Sequence, residues 1–488
     1  MPRGKALGGT SVINYMINSR GNRNDFLKWP KGWSYNDVLP YFIKSENAHL
    51  NGLENSMYRG KNGLWNVEYS KYRTPLVDAF VKANEEAGHQ QLDYNAAEQL
   101  GVGYVQTSTL NGQRHTAARA YLDPAKGRPN LTILMGARVT KVLINKNNKQ
   151  ATGVEYLYQN KKYTVKSGKE VILSAGVFNS PQILLLSGIG PKNQLKKHGI
   201  EQIQELPVGQ TLLDHISHFG PSFLVNTTQS SISAELVSTE EAQKAYEKGE
   251  GPMTVIGGVE ALTFMKTQNT DQLPNVPDIE LIFLAASMHS DGGEGLRRGV
   301  HLKDEIYDAV YRPLIGRDAW TAVPMLFHPR SVGYVELNDA NPESPPLINP
   351  NYLDDPIDVE RILEGIKEGI RISKMPAMQK LDARIHDIPL PNCAHLTFGT
   401  DDYWRCSIRT LSCTIYHNVG TCLMGLRSNK RSVVSPTLEV HGIKNLRVAD
   451  TSVIPEATSA HTNAASYMIG EKAADIIKNF WIKNDDEL

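Results

Sequence analysis

The sequence predicts a layered α/β protein built as a composite of helices and sheets, and three observations carry that reading. An apolar segment over 170–176 leads directly into a helix start. Segments 137–144 and 152–158 alternate apolar and polar residues. A long amphipathic pattern opens after Asp355. At 488 residues the chain has room for a large core, as two domains or one composite.

Glu170-Val171-Ile172-Leu173-Ser174-Ala175-Gly176 reads as a buried strand. Ser180 then offers a cap, and Pro181 suits the first helical position because its missing N–H has no partner there. Gln182 to Leu186 continues the helix, and Ser187-Gly188-Ile189-Gly190-Pro191 ends it. The alternation over 137–144 and 152–158 predicts paired strands, and 278–286 and 332–337 are further strands. Asp355 caps a helix with Pro356 in its first turn and one apolar stripe of Val359, Ile362, Leu363, Ile366 and Ile370. The polar stretch 230–248 reads as a surface helix or mobile loop, and 338–350 as a proline-rich connector. There is no internal repeat or low-complexity block.

Apolar content of 40% and charged content of 21% are ordinary for a soluble globular protein. Lys+Arg and Asp+Glu are both 52, so no net field favours nucleic acid or an anionic membrane. No run approaches ~18 apolar residues, which argues against a membrane span. Met1-Pro2-Arg3-Gly4-Lys5 has no apolar segment of a signal peptide. Cys393, Cys406, Cys413 and Cys422 fit no zinc spacing; a Cys393–Cys406 disulfide and free buried thiols stand as equal alternatives. Asn130-Leu131-Thr132 and Asn226-Thr227-Thr228 are glycosylation sequons. The tail Asp485-Asp486-Glu487-Leu488 lacks the Lys or His of an ER-retention signal and reads as a solvated end. Without G-x-S-x-G or H-E-x-x-H, a hydrolase is disfavoured.

Chemistry concentrates in the last 75 residues or so and in the first 16. His417 lies in Tyr416-His417-Asn418-Val419-Gly420-Thr421-Cys422-Leu423-Met424-Gly425. His461 lies in Ala460-His461-Thr462-Asn463-Ala464, at the mouth of an amphipathic helix over 463–480. Between them, Leu446-Arg447-Val448-Ala449-Asp450 reads as a strand ending in a carboxylate. Near the start, Gly8-Gly9-Thr10 lets backbone approach a planar ligand and turns successive N–H groups toward an anion or ring oxygen, with Asn14 as a further hydrogen-bonding group. Taken alone, this is a glycine-rich turn with a buried Asn. His215, His441 and Asp214 read as structural, and Cys422 as a small core hydrophobe.

Together these segments resemble the glucose–methanol–choline family of flavin oxidoreductases, most closely its insect glucose dehydrogenase-like members. Arg3 to Arg20 resembles the family's first signature. Gly176 to Gly190 resembles the second, and Leu206-Pro207-Val208-Gly209-Gln210 with Leu213-Asp214-His215 a third block. The resemblance covers nearly the whole chain. It implies an FAD-binding α/β domain over 1–220 and 425–488, and a substrate domain with a mainly antiparallel sheet over 221–424, the C-terminal family type beginning near 330. His417 matches the family's base and His461 its second active-site position. Gly8, Gly9, Thr10, Asn14 and Met16 match the segment along the flavin, and Val139 the strand residue at the adenine. Asp450 matches the residue near the ribityl chain; Thr462 and Asn463 match backbone contacts to the ring. The implied reaction is oxidation of a small alcohol or sugar: His417 takes the hydroxyl proton, hydride passes to flavin N5, and quinone or oxygen accepts the electrons. The family's secreted members suggest an extracellular location.

One family feature is missing. No G-x-G-x-x-G occurs, so the first βαβ unit, which would set the pyrophosphate on a helix N-terminus, is absent. The sequence reads as a fragment or incomplete gene model of an active enzyme. The alternative is a truncated, inactive homologue with a binding or structural role.

Overall fold

A computed structural model describes residues 1–227 and 230–485. Thr228, in the second sequon, and residues 486–488 of the acidic tail lie outside the described residues. The architecture is a composite of helices with mainly antiparallel sheets, as the sequence predicts. The largest sheet has eight strands. Its main path runs Arg384–Ile385, Ser222–Leu224, Ala319–Leu326, Ile279–Leu284, Val259–Met265 and Gly101–Tyr104, with Ile216–His218 and Ser412–Thr414 joined at its side. Every pairing in it is antiparallel. The strands Ala319–Leu326 and Ile279–Leu284 are buried at every residue, because helices and loops cover both faces. Continuous apolar runs are what such double burial demands.

Helix Pro356–Ser373 lies over this sheet. Its Asp355 cap and Pro356 are as expected from the sequence: the Asp355 carboxylate accepts from Ile357 N–H. Val359, Ile362, Leu363 and Ile366 are at most 2% exposed, so the stripe is spent on the sheet. Gly365 and Gly369 set how close the helix comes. A Cβ on Gly365 would sit 2.7 Å from the Cβ of Pro324, and one on Gly369 3.0 Å from that of Ala322. Two mid-helix glycines cost about 1 kcal/mol each relative to alanine, which close helix–sheet packing offsets.

A second core gathers around the helix Gly176–Leu186, the parallel pair Val171–Leu173 with Leu446–Val448, and the C-terminal helix Thr462–Asp485. Segments 137–144 and 152–158 form the expected hairpin, Arg138–Asn145 against Gln150–Tyr158. The stretch 230–248 holds two short helices, Ala234–Val237 and Glu240–Glu247, capped by Ser233 and Thr239. Cys393 and Cys406 form a disulfide, whereas Cys413 and Cys422 are free. Asn130 is exposed. No helix among the described residues is long and apolar enough to cross a membrane.

Two expectations fail locally: the strand read as buried over 170–176 is Val171–Leu173 with Ile172 44% exposed, and the helix after it starts early. The helix predicted to start at Ser180-Pro181 begins at Gly176, placing Pro181 inside it. Pro181 has no N–H to give the carbonyl of Val177, four residues back. The hydroxyl of Thr421 donates to that carbonyl instead, at 2.6 Å. The helix therefore continues through its proline on a donor 244 residues away, a compensation no local pattern encodes.

Beneath the first third of the chain lies a buried charge cluster. Glu46 is held by Arg20 at 2.7 Å and by Arg59 at 3.2 Å, with all three side chains at most 4% exposed. Arg59 also pairs with Asp93, and the second Glu46 oxygen accepts from Gly60 N–H at 2.9 Å.

Candidate active site

Two chain segments cross side by side between the cores and carry the histidines. Leu213 and Val419 exchange backbone hydrogen bonds at 3.1 and 2.9 Å, and both belong to the second core. Three residues further along, Ile216 pairs with Thr414 at the side of the large sheet. Between these two anchors the ladder opens, and His215 and His417 occupy the gap. Tyr416 takes a left-handed conformation, φ 66°, which reverses the chain just before His417. That strain is held from several sides. Tyr416 N–H donates to the Thr414 hydroxyl at 2.8 Å, Thr414 and Tyr352 donate to buried Asp214, and Arg3 donates to the Tyr416 carbonyl at 2.8 Å. Burial pushes the Asp214 carboxyl up to about 6, against these donors and Arg3, which pull it down. Its reading as a structural acceptor holds.

His461 arrives from the other side, immediately before the helix Thr462–Asp485. Its approach is fixed by Asp25, which accepts from the Ser459 N–H at 2.8 Å and hydroxyl at 3.0 Å. Its Nε2–H donates to Glu280 at 2.9 Å, and Glu280 is fully buried on the sheet strand Ile279–Leu284. The rings of His417 and His461 meet edge to face, centroids 4.7 Å apart and planes at 82°. Burial holds the His417 imidazole well below its ordinary range, and the imidazoles of His461 and His215 and the Arg3 guanidinium push the same way. At neutral pH it is an unprotonated base.

A cavity of about 1720 Å³ has on its wall Arg3, which donates to the Tyr416 carbonyl, and Asn463, two residues after His461; it is larger than the ~300–1,000 Å³ of ordinary ligand pockets. Gly8, Gly9, Thr10, Val139, Asp450 and Asn463 all stand on its wall. Gly8 and Gly9 have φ of 97° and 57°, which bend the N-terminal turn around the opening. Thr462 opens the helix next to Asn463. Asn14 and Met16 do not share this wall: Asn14 Oδ1 accepts from Met16 N–H and from Arg114, tying the pair into their own loop. Arg3, Lys5, Arg138, Lys166 and Lys169 outnumber Glu170 and Asp450 around the cavity, which favours an anionic ligand. Asn463 stands on the cavity wall, and its side-chain N–H group is buried without a protein acceptor.

The Asp450 carboxylate is itself committed to protein. One oxygen accepts from Gly176 N–H at 2.9 Å and the Ser180 hydroxyl at 2.6 Å; the other accepts from Ser452 N–H at 2.8 Å. It caps the helix Gly176–Leu186 from across the parallel pair. Replacing Asp450 by Ala should lower stability by about 1–3 kcal/mol, read as a reduced urea midpoint. An unchanged midpoint would contradict the capping role.

Two groups escape sequence reasoning. Glu280 gives no local signal, because an acidic residue in a strand reads as solvent-facing until its partner 181 residues away is known. His215 reads as structural, yet its Nδ1 lies 3.0 Å from the Nδ1 of His417. The reading of His441 stands: its ring bonds the Gly425 carbonyl and Ser432.

Family models described as GMC oxidoreductase match residues 1–217 and 329–470. The chain belongs to the GMC oxidoreductase family. Among curated GMC relatives, glucose dehydrogenase [FAD, quinone] of Drosophila pseudoobscura pseudoobscura is 38% identical over 98% of this chain and 75% of that protein. Mitochondrial choline dehydrogenase of Homo sapiens is 34% identical over 98% of this chain and 76% of that one. Among solved structures, Aspergillus oryzae formate oxidase, studied for its FAD modification, superposes with a TM-score of 0.83 at 26% identity, covering 98% of this chain and 84% of that one.

Proposed function

We propose that this GMC oxidoreductase oxidises the CH–OH group of a small alcohol or sugar with FAD as its redox cofactor. The meeting of the His417 and His461 rings, centroids 4.7 Å apart, carries the proposal. The fit to FAD rests on the cavity's volume, its cationic wall, the glycine turn and the unpartnered Asn463 amide. Gly8, Gly9, Thr10 and Asn463 would hold the ring end, and Val139 the adenine end. The chemistry FAD supplies when bound is hydride acceptance, with the electrons passed on to a quinone or oxygen.

The chain's own part is proton transfer and positioning. Glu280 holds the Nε2–H of His461, leaving Nδ1 to meet the substrate hydroxyl. His417, neutral in its buried surroundings, accepts the hydroxyl proton as the C–H bond weakens. Because its pKa is depressed, the reductive rate should hold as pH falls through 6.5 and decline only well below that value. An acid limb centred at 6.5 or above, in a pH series of anaerobic flavin reduction, would rule His417 out as the base.

The direct test loads the full chain with FAD and mixes it anaerobically with alcohols and sugars. Retained yellow colour, a raised melting temperature and bleaching by at least one substrate are expected. Failure of this chain to retain FAD favours the truncated, inactive homologue with a binding or structural role; bound FAD that no substrate bleaches sinks the activity. The Cys393–Cys406 disulfide supports an oxidising, extracellular location. Four free thiols, rather than the two of Cys413 and Cys422, in protein taken from its natural source without reductant would refute that location.

A further inference from the structure

We propose that His215 is a positioning residue that fixes which nitrogen of His417 carries the proton, and so creates the base. This rests on the role of His417 proposed above. The observation is the facing pair of Nδ1 atoms, 3.0 Å apart, with ring planes at 87°. Two neutral imidazoles so placed share one proton: one Nδ1 must donate and the other accept.

The surroundings of His215 decide the direction. His215 is 1% exposed, its Nδ1 is taken up by His417, and the nearby backbone carbonyls of Phe327 and Thr458 favour a proton on the ring. A carbonyl can only accept, so the His215 proton belongs on Nε2. Burial holds the imidazole down at about 3, with His328 and His461 adding to the effect, so at neutral pH it has one ring proton to place. Its Nδ1 is then a bare lone pair, and His417 must answer with Nδ1–H. That leaves Nε2 of His417 as its basic nitrogen. The Leu213–Val419 and Ile216–Thr414 pairings flank both residues and hold the two rings in register.

Without His215, His417 is free to place its proton on either nitrogen, and the share with the proton on Nε2 is inert as a base. An enforced wrong tautomer costs about 10⁴-fold in rate; a merely unfixed one should cost less, on the order of 10²-fold.

The test uses the full chain labelled with ¹⁵N-histidine, without FAD or substrate. Long-range ¹H–¹⁵N spectra report the tautomer of each ring, and the His417 signals are those lost in His417→Gln. Protonated Nδ1 on His417 and protonated Nε2 on His215 are expected; a wild-type His417 protonated on Nε2 overturns the proposal. In FAD-loaded protein, His215→Leu should lower the limiting rate of flavin reduction about 10²-fold with little change in KM, and mix the His417 tautomers. His215→Asn, whose side-chain oxygen can accept in place of Nδ1, should recover the rate to within about tenfold. A Leu variant that keeps both tautomer and rate also overturns it. The tautomer spectra need no turnover, so their outcome is separable from a failure of the proposed reaction.

Discussion

His417→Ala should slow anaerobic flavin reduction by about 10²–10⁴-fold while FAD stays bound. The size follows from the role proposed for the imidazole: without it the hydroxyl proton has no positioned acceptor. The selectivity follows from where it sits. His417 is not among the residues that line the cavity, so the cofactor contacts proposed for Gly8, Gly9, Thr10, Val139 and Asn463 should survive its removal. Stability should fall only modestly, because the loss leaves the His215 Nδ1 unpaired, a defect worth about 1–3 kcal/mol. Rapid mixing with substrate, read at the flavin absorbance, gives the rate, and the spectrum before mixing gives cofactor content. A variant reduced within tenfold of the parent would remove His417 from the mechanism.

The largest stability effect should come from Glu46. Its carboxylate neutralises two guanidiniums in a region closed to water, Arg20 at 2.7 Å and Arg59 at 3.2 Å. Glu46→Ala strands Arg20 and leaves Arg59 with Asp93 alone, and breaking a buried pair in this way costs about 3–5 kcal/mol. Glu46→Gln separates charge from volume. It keeps shape and an acceptor but cannot compensate the cations, so its urea midpoint should fall by at least half as much as that of Glu46→Ala. A Gln variant as stable as the parent would show that packing, not charge, is what Glu46 provides.

These two sites differ in how far the sequence reveals them. Where the controlling partner is local, reading succeeds: Asp355, Pro356 and the stripe through Ile366 all lie within about three turns of helix. The hairpin over 138–158 is equally local. Where the partner is remote, reading stops. Ser180 looks like a cap because Asp450, which accepts the Gly176 N–H, lies 274 residues further on. Pro181 looks like a helix start because the Thr421 hydroxyl cannot be foreseen. The strands Val259–Met265 and Ala319–Leu326 are buried on both faces and show no alternation to find. In the site, His417 and His461 stand out through their flanking motifs, whereas Glu280 and His215 acquire meaning only from contacts 181 and 202 residues away.

The Glu280–His461 hydrogen bond is also a seam. Glu280 belongs to a strand of the sheet core, and His461 leads the helix of the other core. The aim of the second imidazole is thus inherited from the tilt of a strand whose own packing involves Phe80, Phe283 and Trp320. Tuning this enzyme by random mutagenesis should therefore yield rate-altering hits in deep aromatic residues that never meet the substrate, because reshaping the sheet re-aims the ring it holds.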